Sequence, residues 1–430
     1  MWYYCPLKSW PDLPGLCRRW IMGINTKLIH PEHGGKYENG ATLPPVSQVN
    51  AFTYESSKQL EKVFANRAPG FAYTRIGNPT VNSFEERINE LEGGIGAVAC
   101  ASGMSAVSLA LLNVLKSGDE IISASGLFGG TLDLFRDMEA FGIKVIYASR
   151  ITKENIAPLI SGKTRAVFAE VIENPGLFIM DIKETADFLH EKGIPLFADS
   201  TTATPCLVRP LELGADIVIH SSSKYINGSS NAIGGVIVDS GKFRWNPQRY
   251  PGFEEWEKYG AFAFTAKLRN TVWRNMGGCM SPMNAYLNIV GLETMGLRVE
   301  KCCRNAQILA EELSDETAVK VNYPALSDDE GQKTLIKDQM NGYAGAILTI
   351  TAKTKEQAFK IIDSLKYAKI ASNLGDVRTL VIHPASTIYL HSDKAARAAA
   401  GVYDGTIRVS AGIEDAEDLI DDFKTAIHSL

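Results

Sequence analysis

Residues 213–239 read LGADIVIHSSSKYINGSSNAIGGVIVD. The run ADIVIH is apolar and β-branched, a pattern typical of a buried parallel strand, and GGVIVD at the other end has the same pattern. The loop between them holds a single lysine, Lys224, directly after three serines. A lone loop lysine is ordinarily a solvated side chain, so an amine among hydroxyls at the end of a buried strand is unusual. The stretch therefore predicts part of a buried sheet and a candidate site at its edge.

Apolar runs and runs with helical spacing alternate from residue 80 to residue 239. Examples of the apolar runs are GAVACA, EIISAS, RAVFAEVI and PLFADS, and each is followed by a turn and an amphipathic segment. Such alternation is typical of a doubly wound α/β fold, with helices on both faces of the sheet. We therefore predict a mostly parallel seven-stranded sheet in a large domain.

The remaining parts of the chain predict three further regions. Residues 1–21 are rich in Trp, Tyr and Pro and lack the arrangement of a signal peptide, so we expect a flexible extension. Residues 22–78 are polar and interrupted by proline, which indicates an extended N-terminal arm. The large domain is expected at 79–275. Residues 276–430 are helical and then mixed, which predicts a smaller α+β C-terminal domain.

Composition excludes several classes of partner. The chain has 430 residues and a net charge of -5, which offers no basic surface for nucleic acid or an anionic membrane. No apolar run approaches the ~20 residues that a membrane-spanning helix requires. The 7 cysteines are odd in number and form no CxxC pair, so we expect free thiols in the cytoplasm and no metal site.

Polar groups follow four of the predicted strands, at the edge where ligands of an open parallel sheet bind. SGMSA opens a helix whose free amides can face an anion, and Asp199, Asn174 and Lys224 follow three other strands. Each has an ordinary alternative. SGMSA could be a capped glycine turn, and Asp199 a helix N-cap. Asn174 could belong to a plain turn, and Lys224 could be a solvated surface lysine. Together they place an anion cradle, a carboxylate, an amide and an amine at one edge.

This set matches the needs of pyridoxal 5'-phosphate. That cofactor has a phosphate to anchor, a ring nitrogen to keep protonated, a phenolic oxygen that accepts a hydrogen bond and an aldehyde that a lysine can trap. The amine must lose its proton, which a shielded pocket and a nearby cation both favour. The sequence therefore predicts a pyridoxal-phosphate site around Lys224.

Eight motifs carry a resemblance to a known family. They are YTRIGNPT, ASGMSA, FGGT, ENP, ADST, HSSSKY, SNLGDVRTLVIHPAS and IRVSAGIED. Their order and spacing from about residue 22 to the end resemble the pyridoxal-phosphate enzymes of cysteine and methionine metabolism, the trans-sulfuration family. The resemblance implies the fold type I architecture of aspartate aminotransferase and a homotetramer built as a dimer of dimers.

The resemblance also implies roles for individual residues. Lys224 would bond the cofactor and move protons, and Asp199 would keep the ring nitrogen protonated. Arg408 would bind the substrate α-carboxylate with support from Ser372. Tyr73 and Arg75 would reach the phosphate of a neighbouring subunit. The other expected cofactor contacts are Ser102, Gly103, Met104, Phe128, Asn174, Thr201, Ser221 and Ser223.

The sequence departs from the family pattern at three places. Phe128 stands where the family usually has tyrosine, so its ring can stack on the cofactor but cannot exchange a proton. Ser229 and Ser230 replace part of a glycine-rich run after the lysine, and Ile388-Tyr389 replaces Thr-His after HPAS. The departures leave cofactor binding intact and concern the chemistry at the substrate side chain.

Within the family, SNLGDVRTLVIHPAST and AYLNIVGLETMGLRVEK look most like the O-acetylhomoserine sulfhydrylases. This likeness predicts γ-replacement, in which sulfide or a thiol displaces the acyl group of an O-acylated homoserine and gives homocysteine or methionine. Two alternatives stay open. One is γ-elimination by a methionine or cystathionine γ-lyase, and the other is a binding protein that keeps the fold without turnover.

Overall fold

The structure is a computed structural model that describes residues 23–31, 37, 40–392 and 394–430. The predicted extension at residues 1–21 lies outside the described residues. In the part of the chain that is described, no helix combines the length and the apolar character needed to span a bilayer.

A seven-stranded sheet forms the centre of the first half of the molecule. In spatial order from one edge to the other the strands are β1, β7, β6, β5, β4, β2 and β3. Every neighbouring pair is parallel except the two pairs that include β7. The prediction of a mostly parallel seven-stranded sheet is therefore confirmed. The strands are β1 (Gly96–Cys100), β2 (Glu120–Ala124), β3 (Lys144–Ala148), β4 (Thr164–Glu170), β5 (Leu196–Asp199), β6 (Ile217–His220) and β7 (Gly235–Asp239).

The expectation that GGVIVD forms a parallel strand is wrong. Residues 221–234 between β6 and β7 contain no helix, so the chain turns back beside β6 instead of crossing over the sheet. All residues of β6 and β7 are buried. Burial on both faces gives the same apolar run in either direction, which is why the sequence pattern did not reveal the antiparallel pairing.

Helices pack against the strands of this sheet. Two helices, α1 and α2, lie in the segment that was expected to be an extended arm; α1 buries Leu28, and α2 has no buried residue. A long 3₁₀ segment at Pro251–Phe262 precedes α9. The helices are α1 (Ile24–Ile29), α2 (Ser57–Phe64), α3 (Pro79–Glu92), α4 (Gly103–Leu112), α5 (Gly129–Glu139), α6 (Lys153–Ile156), α7 (Ile182–His190), α8 (Thr204–Leu207), α9 (Ala263–Asn270) and α10 (Val272–Asn275).

A five-stranded sheet and six helices form the C-terminal part, which confirms its predicted α+β character. The strand order is β10-β11-β12-β9-β8, and only the β10–β11 pair is parallel. The strands are β8 (Val319–Asn322), β9 (Ile347–Ala352), β10 (Lys369–Ile370), β11 (Leu380–Ile382) and β12 (Thr406–Ser410). The helices are α11 (Pro282–Glu293), α12 (Met295–Ser314), α13 (Glu330–Asp338), α14 (Lys355–Ser364), α15 (Lys394–Ala399) and α16 (Ala416–His428).

One hydrophobic core runs through both sheets. Phe168 and Phe197 of the larger sheet belong to the same cluster of buried side chains as Leu348 and Val409 of the smaller sheet. Burial of a side chain of this size stabilises the fold by roughly 1.5–3 kcal/mol. The shared core holds the carboxyl edge of the larger sheet against the strand β12, and the space between them forms the candidate site.

Candidate active site

A cavity of about 420 Å³ lies at the carboxyl ends of the parallel strands. Every residue predicted for the site lines it except Tyr73 and Arg75. The predicted residues that line it are Ser102, Gly103, Met104, Phe128, Asn174, Asp199, Thr201, Ser221, Ser223, Lys224, Ser372 and Arg408. Further lining residues, not predicted from the sequence, are Val107, Thr131, Glu170, Thr202, Ser230, Ala232, Ile233, Asn373, Leu374 and Ile388.

The N-terminus of α4 and the loop after β6 form a cradle on one side of the cavity. Ser102 caps α4, its Oγ accepting a hydrogen bond from the Ser105 amide at 3.0 Å. A Cβ at Gly103 would lie 2.6 Å from the Cβ of Ser221, so only glycine allows the two segments to meet. Free helix amides beside serine hydroxyls are suited to a phosphate group.

Asp199 ends β5 and accepts a hydrogen bond from the Thr201 amide at 2.9 Å. Burial raises the pKa of this carboxyl, and the hydrogen bonds from Thr201 and the proximity of His220 oppose the rise. A carboxylate withdrawn from water is stabilised by a cationic partner. The protonated ring nitrogen of pyridoxal phosphate is such a partner.

Glu170 is a site residue that the sequence analysis missed. It ends β4 in register with Asp199, and its two oxygens accept hydrogen bonds from the amides of Phe128 and Asn174, each at 2.8 Å. Burial, and secondly the charge of Asp199, raise the pKa of Glu170 well above its usual value. The residue ties together two loops that line the cavity. In the sequence it stands inside an apolar strand, and that position gave no signal of a loop contact.

The amine of Lys224 faces the cavity and donates a hydrogen bond to Asn373 Oδ1 at 2.6 Å. Burial lowers the pKa of Lys224 to about 8, and the positive charge of Arg408 contributes to the decrease. The neutral form, which a nucleophile requires, is therefore far more populated near neutral pH than in an ordinary lysine, although the protonated form still predominates at pH 7. Asn373 follows the predicted Ser372 in the same motif, and the sequence gave no reason to prefer it. Ser372 lines the cavity as an exposed residue.

Arg298 of α12 fixes the loop that carries Lys224. Its guanidinium donates hydrogen bonds to the carbonyls of Tyr225 at 2.8 Å and Ile226 at 3.3 Å. Gly228 lies against the same guanidinium with a φ of +71°, and a Cβ there would collide with it. Hydrogen bonds from the buried guanidinium of Arg298 therefore stabilise the loop and help to fix the position of Lys224.

Arg408 lies on β12 between β9 and β11 and is buried. It donates hydrogen bonds to Asn174 Oδ1 at 3.2 Å and to the carbonyl of Asn373 at 2.7 Å, and its Nε has no partner. Burial lowers its pKa to about 10. A buried guanidinium with unused hydrogen-bonding capacity is suited to a carboxylate, as the sequence analysis expected.

Tyr389, one of the departures from the family pattern, contacts the loop that carries another, Phe128. The Tyr389 hydroxyl is buried and donates a hydrogen bond to the carbonyl of Leu127, so it does not face the cavity. Ile388 lines the cavity instead, and its carbonyl leaves no room for a Cβ at Gly129. No tyrosine or histidine occurs among the described residues that line the cavity. This chain therefore offers the substrate no phenol or imidazole within those residues.

Tyr73 and Arg75 lie on the exposed surface of the N-terminal region, outside the cavity of their own chain. Arg75 donates a hydrogen bond to the carbonyl of Arg274 at 2.8 Å, and its guanidinium carbon lies 5.5 Å from the centre of the Tyr73 ring. Their predicted contact with a neighbouring subunit stays a prediction.

The fold and the cavity define a class. An α/β protein with a phosphate cradle, a half-buried carboxylate and a lysine of lowered pKa at the carboxyl edge of its sheet is a pyridoxal-phosphate-dependent enzyme of fold type I. A family model described as Cys/Met metabolism PLP-dependent enzyme matches residues 25–428. The chain belongs to this family, as the sequence motifs indicated.

Individual relatives and a solved structure agree with this assignment. The O-acetyl-L-homoserine sulfhydrylase of Leptospira meyeri is 36% identical over 422 residues, which cover 93% of this chain and 96% of that protein. The L-methionine gamma-lyase of Porphyromonas gingivalis is 35% identical over 414 residues, covering 95% and 98%. A crystal structure from Campylobacter jejuni that contains N'-pyridoxyl-lysine-5'-monophosphate has a TM-score of 0.89 and 31% identity, covering 95% of this chain and 100% of that one.

Proposed function

We propose that this enzyme catalyses γ-replacement on an O-acylated homoserine, with O-acetylhomoserine as the principal donor. Sulfide or a thiol forms a bond to the γ-carbon, the bond from that carbon to the acyl oxygen breaks, and acetate leaves. The products are homocysteine with sulfide and methionine with methanethiol. The full-length similarity to the Leptospira meyeri sulfhydrylase supports the proposal.

The observation that carries the choice of leaving group is the lining of the cavity. Acetate is a weak base and leaves as an anion with little acid assistance, whereas a thiolate leaving group benefits from a proton donor. Phe128 cannot donate a proton, and the described lining residues include neither tyrosine nor histidine. The cavity is therefore better suited to an acyl leaving group than to a thiol one.

Each lining residue that the sequence predicted has a role in the proposal. The amides of Gly103 and Met104, the hydroxyls of Ser221 and Ser223 and the cap residue Ser102 bind the cofactor phosphate. Asp199 holds a proton on the ring nitrogen, supported by Thr201, and Asn174 hydrogen-bonds the phenolic oxygen. Phe128 stacks on the ring. When bound, pyridoxal phosphate serves as the electron sink for the carbanion at the substrate α-carbon.

The chain's own residues bind the amino acid and move its protons. Arg408 binds the α-carboxylate with its guanidinium, and Ser372 supports the same end of the substrate. This contact places the α-proton toward Lys224. The neutral amine of Lys224 removes that proton and later moves protons between the substrate carbons. Its lowered pKa of about 8 makes the neutral form available.

The remaining parts of the proposal concern assembly and location. The arm at residues 22–78 extends to a neighbouring subunit, where Tyr73 and Arg75 bind the cofactor phosphate, and two such dimers form a homotetramer. The exposure of both side chains outside their own cavity supports this assembly.

The domain limits in this proposal are residues 79–275 for the large domain and 276–430 for the C-terminal domain. Free cysteines, including the buried Cys100, Cys302 and Cys303, support a cytoplasmic location.

A substrate panel on the purified holoenzyme tests the reaction. With O-acetylhomoserine and sulfide we expect homocysteine and acetate in equal amounts. With methionine alone we expect little ammonia and 2-oxobutanoate. Release of these two products from methionine at a comparable rate would contradict the transferase proposal and favour a γ-lyase. Turnover of neither substrate, in a protein without visible cofactor absorbance, would favour a binding protein instead.

A further inference from the structure

A chain of hydrogen bonds leads from Lys224 along the cavity lining to a buried carboxylate outside it. Lys224 Nζ donates to Asn373 Oδ1 at 2.6 Å, and Asn373 Nδ2 donates to Ser230 Oγ at 2.8 Å. The hydroxyl of Ser230 donates in turn to Asp376 Oδ2. The roles described above use neither Ser230 nor Asp376.

The carboxylate at the end of the chain determines the direction of every hydrogen bond in it. Asp376 is buried, and its other oxygen accepts from the backbone amide of Arg378 at 2.8 Å and from the Arg378 guanidinium at 3.1 Å. Because an ionised carboxylate only accepts hydrogen bonds, Ser230 must donate to it. The Ser230 oxygen then accepts from an amide NH₂, so the carbonyl end of Asn373 must face Lys224.

The backbone at Ser230 is in a conformation that favours glycine. Its φ is +55°, in the left-handed region, where a residue with a Cβ is disfavoured. Glycine would fit without strain but has no hydroxyl. A serine in a strained position beside a polar chain is consistent with a requirement for its side chain.

We propose that Ser230 and Asp376 are positioning residues that act through Asn373 to orient the free amine of Lys224. An amine that donates one N–H to a fixed acceptor has its lone pair restricted to directions away from that acceptor. Asn373 and Lys224 both line the cavity, so the restriction aims the lone pair at a bound electrophile. The inference rests on the proposed function only in that Lys224 is the reactive amine.

Two substitutions of Ser230 distinguish the effect of its hydroxyl from the effect of its strained backbone. One removes the hydroxyl and the strain, and the other keeps the hydroxyl and increases the strain. Ser230→Gly removes the hydroxyl and the backbone strain together. The relief of strain offsets the cost of leaving Asp376 Oδ2 without its hydrogen bond from Ser230, so we expect the Tm to stay within about 2 °C of the native value. We also expect the apoprotein to recombine with pyridoxal phosphate about fivefold to tenfold more slowly, since one orienting hydrogen bond is lost. Ser230→Thr keeps the hydroxyl but tolerates a positive φ poorly, so its Tm should fall while its recombination rate stays near that of the native protein.

The readouts are the increase in visible absorbance on mixing apoprotein with pyridoxal phosphate, and the Tm of the apoprotein. Asn66→Gly is the matched control, because Asn66 also has a positive φ, of +54°, and is exposed outside the cavity. It should not change the recombination rate.

Two outcomes would overturn the inference. One is a native recombination rate in Ser230→Gly. The other is a parallel loss of Tm and rate in that variant, which would indicate a merely structural residue. Recombination does not involve the amino-acid substrate. A failure here is therefore distinguishable from a failure of the proposed reaction, which the substrate panel on the unaltered enzyme reveals.

Discussion

The two walls of the cavity differ in origin and in what they contact. One wall consists of loops that follow strands of the seven-stranded sheet and carries Ser102, Asp199 and Lys224. The other wall belongs to the C-terminal part and carries Ile388 and Arg408. The first wall holds the groups that the cofactor requires. The second holds the groups assigned to the substrate, and one of the departures from the family pattern is on it. The comparison teaches that the groups assigned to the cofactor are kept on the first wall, whereas departures from the family pattern occur on both walls, at Phe128 on the first and at Ile388 on the second.

The walls also differ in how their geometry is fixed. β-Sheet register fixes the first wall, since Glu170 and Asp199 are paired partners on neighbouring strands. The second wall is fixed by contacts between residues far apart in the chain. Arg408 and Asn174 are 234 residues apart, and Lys224 and Asn373 are 149 residues apart. Substitutions of Asp199 or Lys224 on the first wall should therefore affect the cofactor, whereas a substitution of Arg408 on the second should affect the substrate and the charge environment of Lys224.

The largest effect is expected from Lys224→Ala on the first wall. Turnover should fall by at least about 10⁴-fold, because the variant loses both the amine that bonds the cofactor and the group that moves protons. Steady-state assays and visible absorbance measure the loss. Lys267→Ala is the control, since burial likewise lowers the pKa of Lys267 to about 8 but the residue does not line the cavity. Retained turnover in Lys224→Ala would contradict the assignment of the first wall.

The next effect is expected from Asp199→Asn, which keeps the size of the side chain and removes its charge. The Kd for pyridoxal phosphate should rise about 10- to 100-fold, because a hydrogen bond to a charged partner contributes about 1.5–3 kcal/mol. Equilibrium titration of the apoprotein measures it. Asp239→Asn, at a buried carboxyl outside the cavity, should leave the Kd unchanged. An unaltered Kd in Asp199→Asn would argue against the ring-nitrogen role.

The pH dependence of recombination with pyridoxal phosphate tests whether Arg408 on the second wall lowers the pKa of Lys224 on the first. Only the neutral amine of Lys224 reacts with the aldehyde, so recombination should become faster as pH rises and reach half its maximum near pH 8, where the pKa of Lys224 lies. Below that pH the rate should fall about tenfold per pH unit. Arg408→Leu removes a positive charge, so the profile should shift to higher pH. An identical profile in the variant would show that the two walls are electrostatically independent.

The smallest effect is expected from Phe128→Tyr, which adds the missing hydroxyl to the first wall. Elimination from methionine should increase a few-fold, well below the about 10²-fold of a fully positioned general acid. Ammonia release measures the increase, and cofactor affinity should not change. Phe128→Leu removes the ring without adding a donor and should give no gain. Equal gains in both variants would attribute the effect to space rather than to the hydroxyl.

The first wall was largely predictable from the sequence, and the second was not. Asp199 stands at the end of one apolar run and Lys224 follows another after three serines, so their place at the edge of a parallel sheet follows from the strand pattern. Arg408 was identified only through the family motif, because a guanidinium inside a strand has no pattern of its own. Glu170 and Asn373 were missed, since neither position differs in the sequence from an ordinary strand residue or loop amide.

The sequence by itself determined the α/β class, the cofactor and the family. These depend on local apolar periodicity and on short motifs whose residues are neighbours in the chain. Only the tertiary structure decided that β7 runs antiparallel, that Tyr389 turns away from the cavity and that Asn373 contacts the lysine amine. Each of these facts depends on how segments far apart in the chain pack together, and local periodicity carries no record of such packing.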